Sequence, residues 1–308
     1  MNNLPALDDL RVFIAVARRA GFAAAAAELG MSPAFVTKRI KVLEGTLGVK
    51  LLHRSTRRVS VSEEGERVYA WAVQMIESVQ RLGEELSQAQ GEPAGPLRIV
   101  SSQGMGRRFV APALSELARR YPRLDIRLEV HDRLVDLAGE GFDLDIRVGN
   151  AFAPNLIAKP LARSRRILCA SPAYLAHAGE PRSPAELASH NCLLIKERDR
   201  PFGVWSLQGP QDEVTVKITG SLSTNHGEIA RQWCVDGQGI LLRSWWDVSE
   251  YMERGLLVPV LPEYYQSADI WAVHTAPLSS SAKLKVTVDF LREYFAERYA
   301  MPGQPAAR

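Results

Sequence analysis

Residues near the amino end carry cations and hydroxyls in an order suited to a polyanion. Ser32 and Pro33 precede a run that offers Ala34, Thr37, Lys38 and Lys41, and Arg54, Arg57 and Arg58 follow within a short stretch. In a major groove, methyl and hydroxyl groups meet base edges while Lys and Arg meet phosphate or guanine. Arginines on an adjacent loop find the strongest negative potential at the backbone or in the minor groove. Residues 1–62 hold ten Lys or Arg against four acids (Asp8, Asp9, Glu28, Glu44), a charge of +6 that leaves −3 for the rest of a chain whose total is +3. That asymmetry calls for an anionic partner of the basic part, with nucleic acid ahead of a membrane surface. Lysines on an ordinary solvated helix are the alternative for the run after Ser32 taken alone, and the adjacent arginines weigh against it.

A second set of residues suits a small anion. Ser101, Ser102 and Gln103 follow one strand-like run, Asp132 and Arg133 a second, and Arg147 ends a third, while Asn225 and His226 open a helix farther on. Hydroxyls and free helix amides bind anions, and the planar fork of Arg147 matches a carboxylate in a bidentate way. Arg147 equally suits an internal pair with Asp143 or Asp145, and His226 suits a cap or a packing contact as well as a ligand. Arg107 and Arg108 either reach such a site or solvate a helix start. Nothing matches GxSxG, HExxH, a Walker loop or GxGxxG, and Gly104-Met105-Gly106 has the wrong continuation, so the chain reads as no enzyme. No cofactor or metal is expected.

Those residues need positioning elements. Leu7, Leu10, Phe13, Ile14 and Ala17 recur at helical spacing, and an alanine-rich helix from Ala23 to Leu29 stops at Gly30, which tolerates a sharp turn. Ser32 caps a new helix and Pro33 occupies its first position, where a missing N–H costs no hydrogen bond. Phe35, Val36, Ile40 and Leu43 supply its apolar contacts. Two short strands, Val49–His53 and Val59–Val61, form a hairpin around the arginines. From Ser62 onward Val68, Ala72, Met75, Val79, Leu82, Leu86 and Ala89 alternate at spacings of four and three, a seam with a 3.5-residue period. Such a seam pairs with a partner helix or packs on its own domain, and the narrow stripe before a Gly- and Pro-rich linker favours a partner.

Beyond the linker, strands alternate with helices. The expected elements are Leu97–Val100, a helix Phe109–Arg120, Asp125–Val130, a helix Leu134–Glu140 and Leu144–Val148. This alternation implies a mainly parallel α/β sheet. A second set from Arg166 to Arg243 makes another α/β lobe, and Ile270–His274 with the helix Lys283–Tyr299 returns to the first. Ligands of such a clamshell sit at the carboxyl ends of the strands, between the lobes. Cys169, Cys192 and Cys234 are widely separated, without a CxxC pair or a leading secretion signal, and read as small buried hydrophobes of a cytoplasmic chain.

The amino-terminal run resembles the winged helix-turn-helix head of LysR-type transcriptional regulators. The resemblance rests on Phe13, Ala26, Leu29, Ser32-Pro33, Val36, Ile40, Leu43-Glu44, Leu47-Gly48, Leu51-Leu52, Arg54, Thr56-Arg57 and Glu64-Gly65. Ala23, Thr37, Leu52 and Ser62 depart from the usual pattern, and the cap missing at Ala23 is worth about 1 kcal/mol. It continues through Leu97-Arg98-Ile99, Pro112-Ala113-Leu114, Tyr121-Pro122, Gly141–Arg147, Ala170-Ser171-Pro172, Tyr174-Leu175 and Gly237–Ile240. Arg107–Leu114 and Glu140–Gly149 look nearest to regulators of tartrate and malate metabolism.

The resemblance implies a winged helix-turn-helix domain at 1–62, a linker and dimerisation helix at 63–90, a hinge linker at 91–96 and an effector-binding domain at 97–308. That effector domain is a two-lobed, periplasmic-binding-protein-like α/β fold, with one lobe at about 97–162 and 268–300 and the other at about 163–267. The implied partners are double-stranded DNA, a small carboxylate effector such as a C4 dicarboxylate, and further copies of the chain, as a linker-helix dimer or a tetramer. No membrane partner is expected. A ligand-independent architectural DNA binder is the alternative.

Overall fold

Ser32 caps its helix as its position requires: its Oγ accepts the amide of Phe35 at 3.2 Å and Pro33 opens the helix. The computed structural model describes residues 4–54, 59–89, 93–149, 152–196 and 202–299. Two compact units, Met1–Gly91 and Glu92–Arg308, divide the chain.

In the first unit, α1 (Leu7–Arg19), α2 (Phe22–Leu29) and α3 (Pro33–Leu47) are followed by the antiparallel pair β1 (Leu52–Arg54) and β2 (Val59–Val61), then by α4 (Glu63–Ala89). Helix α2 begins at an N-cap Gly21, so Ala23 lies inside it and the missing cap belongs to Gly21. Glycine there costs only roughly a few tenths of a kcal/mol against serine. Phe13, Val16, Ala25, Ala26, Val36, Ile40, Leu43 and Leu51 make one core. Val68, Tyr69, Val73 and Ile76 of α4 pack on that core, and Ala72 is buried in it. Ser62 caps α4, its Oγ accepting the Gly65 amide at 2.9 Å and donating to the Lys50 carbonyl at 2.6 Å. A Cβ on Gly65 would overlap the Leu51 carbonyl, which explains glycine where helix and hairpin cross.

In the second unit the first sheet runs through β3 (Gly95–Ser101), β4 (Leu124–Val130), β5 (Leu144–Val148) and β6 (Ile157–Ala162). Between β3 and β4 lie α5 (Gln103–Met105), a π-helical turn at Gly106–Val110 and α6 (Ala111–Arg120), and α7 (Leu137–Glu140) precedes β5. The chain then builds a second lobe of β7 (Arg165–Ala170), α8 (Pro172–Ala178), β8 (Leu194–Ile195), β9 (Val204–Gln208), β10 (Glu213–Lys217), β11 (Ser223–Thr224), α9 (Gly227–Val235), β12 (Leu241–Ser244), α10 (Trp245–Glu253), β13 (Val258–Pro259) and β14 (Tyr265–Ser267). It returns through β15 (Ile270–His274) and α11 (Ala282–Arg298).

The first sheet has the order β4-β3-β5-β15-β6, parallel from β4 through β3 to β5 and antiparallel at β15 and β6. The second, β10-β9-β14-β7-β12, is antiparallel throughout, and the mainly parallel arrangement expected of the first holds only from β4 through β3 to β5. The expected helix over 134–140 shrinks to α7, because Asp136 takes the extended backbone of an N-cap. Leu97, Ile99, Leu144, Ile146, Ala272, Leu291 and Phe295 form the core under the first sheet.

All three cysteines are free and buried, matching their reading as packing groups. Burial pushes the Cys192 thiol up to about 12. The neighbouring Cys234 thiol, together with burial, holds that of Cys169 well above its ordinary range. No described helix is long and apolar enough to cross a membrane.

Candidate functional site

On α3, Val36, Ile40, Leu43 and Glu44 are buried. At about 100° per residue the opposite face carries Ala34, Lys38 and Lys41, all exposed. Ser32 and Pro33 are exposed at the helix start, and Thr37 sits at the edge with its Oγ1 donating to the Pro33 carbonyl at 2.8 Å. Phe35, expected among the apolar contacts, is instead 45% exposed. It stands 100° away from Val36, on the outward side, and Glu44 fills the edge of the inner face.

The basic excess of this unit is distributed unevenly. Arg39 Nε meets Asp9 Oδ1 at 2.5 Å, and Arg18 and Arg19 lie against Glu28. Burial raises the Asp9 carboxyl, an effect Arg39 opposes. No ion pair forms at Lys38 or Lys41 among the described residues, so the outward face of α3 keeps its positive charge. Arg57 and Arg58, and the side chain of Arg54, lie outside the described residues, as do those of Leu86 and Ala89 on α4. Of the seam, Val68 and Ala72 pack inward on the head, whereas Met75, Val79 and Leu82 are exposed.

Glu44 ties α3 to the hairpin: its Oε1 accepts the Leu51 amide at 3.0 Å and its Oε2 accepts Lys50 Nζ at 2.9 Å. Burial pushes this carboxyl up, but the Lys50 ammonium and the Leu51 amide prevail and hold it below its ordinary 4.5. A depressed folded value stabilises the fold above pH 4.5 and is lost as pH falls through the lower, folded value. Glu44→Gln is therefore expected to destabilise the head by about 1–3 kcal/mol at neutral pH. In thermal melts its gap to the unmodified chain should close below pH 4.5, and a gap independent of pH would refute the role of the charge.

The second unit holds a cleft of about 90 Å³ between its two lobes. From the first lobe come Ser102, Asp132, Leu134 and Arg147, and from the second Arg166, Lys196, Asn225, His226, Glu228, Arg243, Ser244 and Trp246. Among the described residues, four cations thus face two carboxylates. Arg147 is buried with Nε and Nη2 on Asp145 Oδ2 at 2.9 and 2.8 Å, so the internal pair and the place in the cleft occur together. Arg166 Nη1 donates to Gln266 Oε1 at 2.6 Å. Arg243 Nε donates to Asp247 Oδ2 at 2.5 Å, and Arg231 pairs with the same carboxylate. A side chain on Gly227 would overlap the Arg243 guanidinium. Helices α9 and α10 start at the cleft with N-caps His226 and Ser244, neither of which caps through its side chain, so their amides stay available to an anion. His226 Nδ1 and Trp246 Nε1 are buried without a hydrogen-bond partner among the described residues.

Of the expected ligand contacts, Ser102, Asp132, Arg147, Asn225 and His226 line the cleft. Ser101 does not: it is fully buried and its Oγ donates to the Ile146 carbonyl at 2.8 Å, stitching β3 to β5. Gln103 is not among the lining residues either; its amide donates to Asp132 Oδ1 at 3.1 Å. Arg133 turns away to Glu140, its Nη1 donating to Oε1 at 2.6 Å. Arg107 pairs with Glu228 of the other lobe, and Arg108 lies 3.7 Å from Glu250. Arg166, Lys196, Arg243 and Trp246 escaped the sequence reading. Arg243 and Ser244 end a strand before a helix, the same signal that flagged Ser102.

The model of the bacterial regulatory helix-turn-helix protein, lysR family, matches residues 7–66, and that of the LysR substrate binding domain matches residues 90–296. The chain is a LysR-type transcriptional regulator. This regulator is 60% identical over 299 residues to the HTH-type transcriptional regulator DmlR of Escherichia coli K12, covering 97% of each chain. It is 46% identical over 304 residues to the HTH-type transcriptional activator TtdR of the same strain, covering 99% of this chain and 98% of that one. The full-length structure of the Vibrio cholerae virulence activator AphB, a member of the LTTR protein family, aligns at a TM-score of 0.64 with 28% identity, over 94% of this chain and 99% of that one. A LysR-type regulator binds DNA and a small-molecule effector and forms oligomers; it is not an enzyme.

Proposed function

We propose that this regulator senses a small dicarboxylate, of the C4 class that includes malate and tartrate, in the cleft of residues 97–308, and converts its binding into altered operator occupancy by the head of residues 1–62. The observation that carries this reading is the convergence of Arg147, Arg166, Lys196 and Arg243 on one cleft with the open amino ends of α9 and α10. Charge-assisted, forked hydrogen bonds from arginine suit carboxylates at both ends of a short chain. The nitrogens of His226 and Trp246 that lack a partner among the described residues add polar groups for a ligand to satisfy. Ser102, Asp132, Asn225 and His226 complete the contact set.

Ser32, Pro33, Ala34, Thr37, Lys38 and Lys41 are the groove-facing residues of this reading, with Arg54, Arg57 and Arg58 on the wing. Residues 63–90 pair with those of a second copy through the exposed Met75, Val79 and Leu82, placing two heads on two half-sites, and two dimers make a tetramer. The working compartment is the cytoplasm, where both DNA and central carboxylic acids are met. Coupling needs only that the ligand bind one arrangement of the lobes more tightly than the other.

Footprinting upstream of the regulator's own coding region, with and without malate, tartrate and succinate, tests the whole. Two protected half-sites are expected, with a protection pattern that changes on adding an acid. A footprint indifferent to every C4 dicarboxylate removes the effector class, and one with no discrete protected site removes operator binding.

A further inference from the structure

Phe35 has no structural role that accounts for its exposure. It is 45% exposed near the amino end of α3 and takes no part in the head's hydrophobic core. Its backbone amide serves the Ser32 cap, which any residue but proline would do. Its ring lies 5.9 Å from the Arg39 guanidinium, which is itself anchored on the largely buried Asp9 at 2.5 Å. Arg39 is thus engaged at its carboxylate, and the phenyl ring beside it rests against a fixed cation. Phe35 and Lys38, three apart, are neighbours on the helix surface, and Val42, also 45% exposed, follows Phe35 two turns on.

A polyanionic backbone has nothing for a phenyl ring to bind. Base edges in the major groove do, in one place: the C5-methyl of thymine, the apolar group that alanine, threonine and phenylalanine side chains contact there. We propose that Phe35 is a specificity-determining residue that packs on a thymine methyl in each half-site, with Lys38 beside it holding phosphate or base. The inference rests on α3 as the groove-reading helix. Charge complementarity decides the occupant: the ring is set in a face whose cations Lys38 and Lys41 form no ion pair among the described residues, and an apolar protein partner would leave those charges unmatched.

The experiment uses the full-length protein and the duplex it selects from a randomised library, with each thymine replaced singly by deoxyuridine, which removes only the methyl. One thymine per half-site is expected at which uracil lowers affinity about fourfold, the effect of one buried methyl group. Phe35→Ala is expected to bind the thymine and uracil duplexes alike, while Phe35→Leu, which keeps an apolar surface, retains part of the discrimination and controls for folding. Uracil sensitivity that persists in Phe35→Ala, or a selected duplex with no uracil-sensitive thymine, overturns the inference and leaves α3 as the reader. A selection that returns no sequence preference overturns that reading and the inference with it. Unchanged DNA recognition by Phe35→Ala together with altered self-association would assign the ring to a second copy of the chain and overturn the inference as well.

Discussion

Asp247→Ala is expected to lower the stability of the effector-binding unit by about 3–5 kcal/mol, the cost of removing one partner from a buried charge cluster. Asp247 is 1% exposed and receives Arg243 Nε at 2.5 Å as well as Arg231, two guanidinium groups whose side chains are 14% and 12% exposed. It stands in the first turn of α10, where a carboxylate also meets the positive end of the helix. Alanine there leaves two largely desolvated cations facing each other. Arg243 has nowhere to retreat on the Gly227 side, since the main chain of α9 lies directly against its guanidinium. Urea unfolding followed by tryptophan fluorescence reads the effect, because Trp233, Trp245 and Trp246 all lie on α9 and α10. A shift below about 1 kcal/mol would mean that water screens the cluster as it does surface pairs. Asp247→Asn, which keeps the shape, should fall between the two.

That cluster also marks where the sequence stops being informative. Ser32-Pro33, the alanine run before Gly30 and the seam from Val68 onward declare local structure, because caps, turns and helical periods depend on neighbours a few residues away. The same holds for Asp132, Arg147 and Asn225, which end strands or open helices and so were placed at the cleft by a positional rule. Arg166 could not be found that way. It is the second residue of β7, and it reaches the cleft because β7 runs antiparallel to both neighbours, with Ser244 opposite it on β12 and Gln266 on β14. Pairing across 78 and 100 residues of chain is a tertiary fact that no local pattern carries. Ser101 failed for a smaller reason: one residue along a strand reverses the face, so Ser101 points into the sheet while Ser102 meets the cleft. Phe35 misled because an aromatic residue in an amphipathic helix is usually core, and here the inner face was already filled by Val36, Ile40 and Leu43 with Glu44 at its edge.

Arg166→Ala should abolish useful effector binding while leaving the fold and ligand-free DNA binding in place. Arg166 Nη1 donates to the side-chain amide oxygen Gln266 Oε1 at 2.6 Å, which fixes the guanidinium on β14. It lines the cleft at 9% exposure from the second residue of β7, so its guanidinium is set where an anion would bind. Truncating one partner of a desolvated, hydrogen-bonded charge pair costs about 2–5 kcal/mol, which is a loss of roughly thirtyfold to several thousandfold in affinity. Calorimetry with whichever C4 dicarboxylate alters the footprint measures it directly. Arg166→Lys retains the charge but lacks the planar fork, so it should recover part of the affinity and lose the ability to distinguish a carboxylate from a smaller anion. A loss under threefold in Arg166→Ala would place the ligand's charge on Lys196 and the amino ends of α9 and α10 instead.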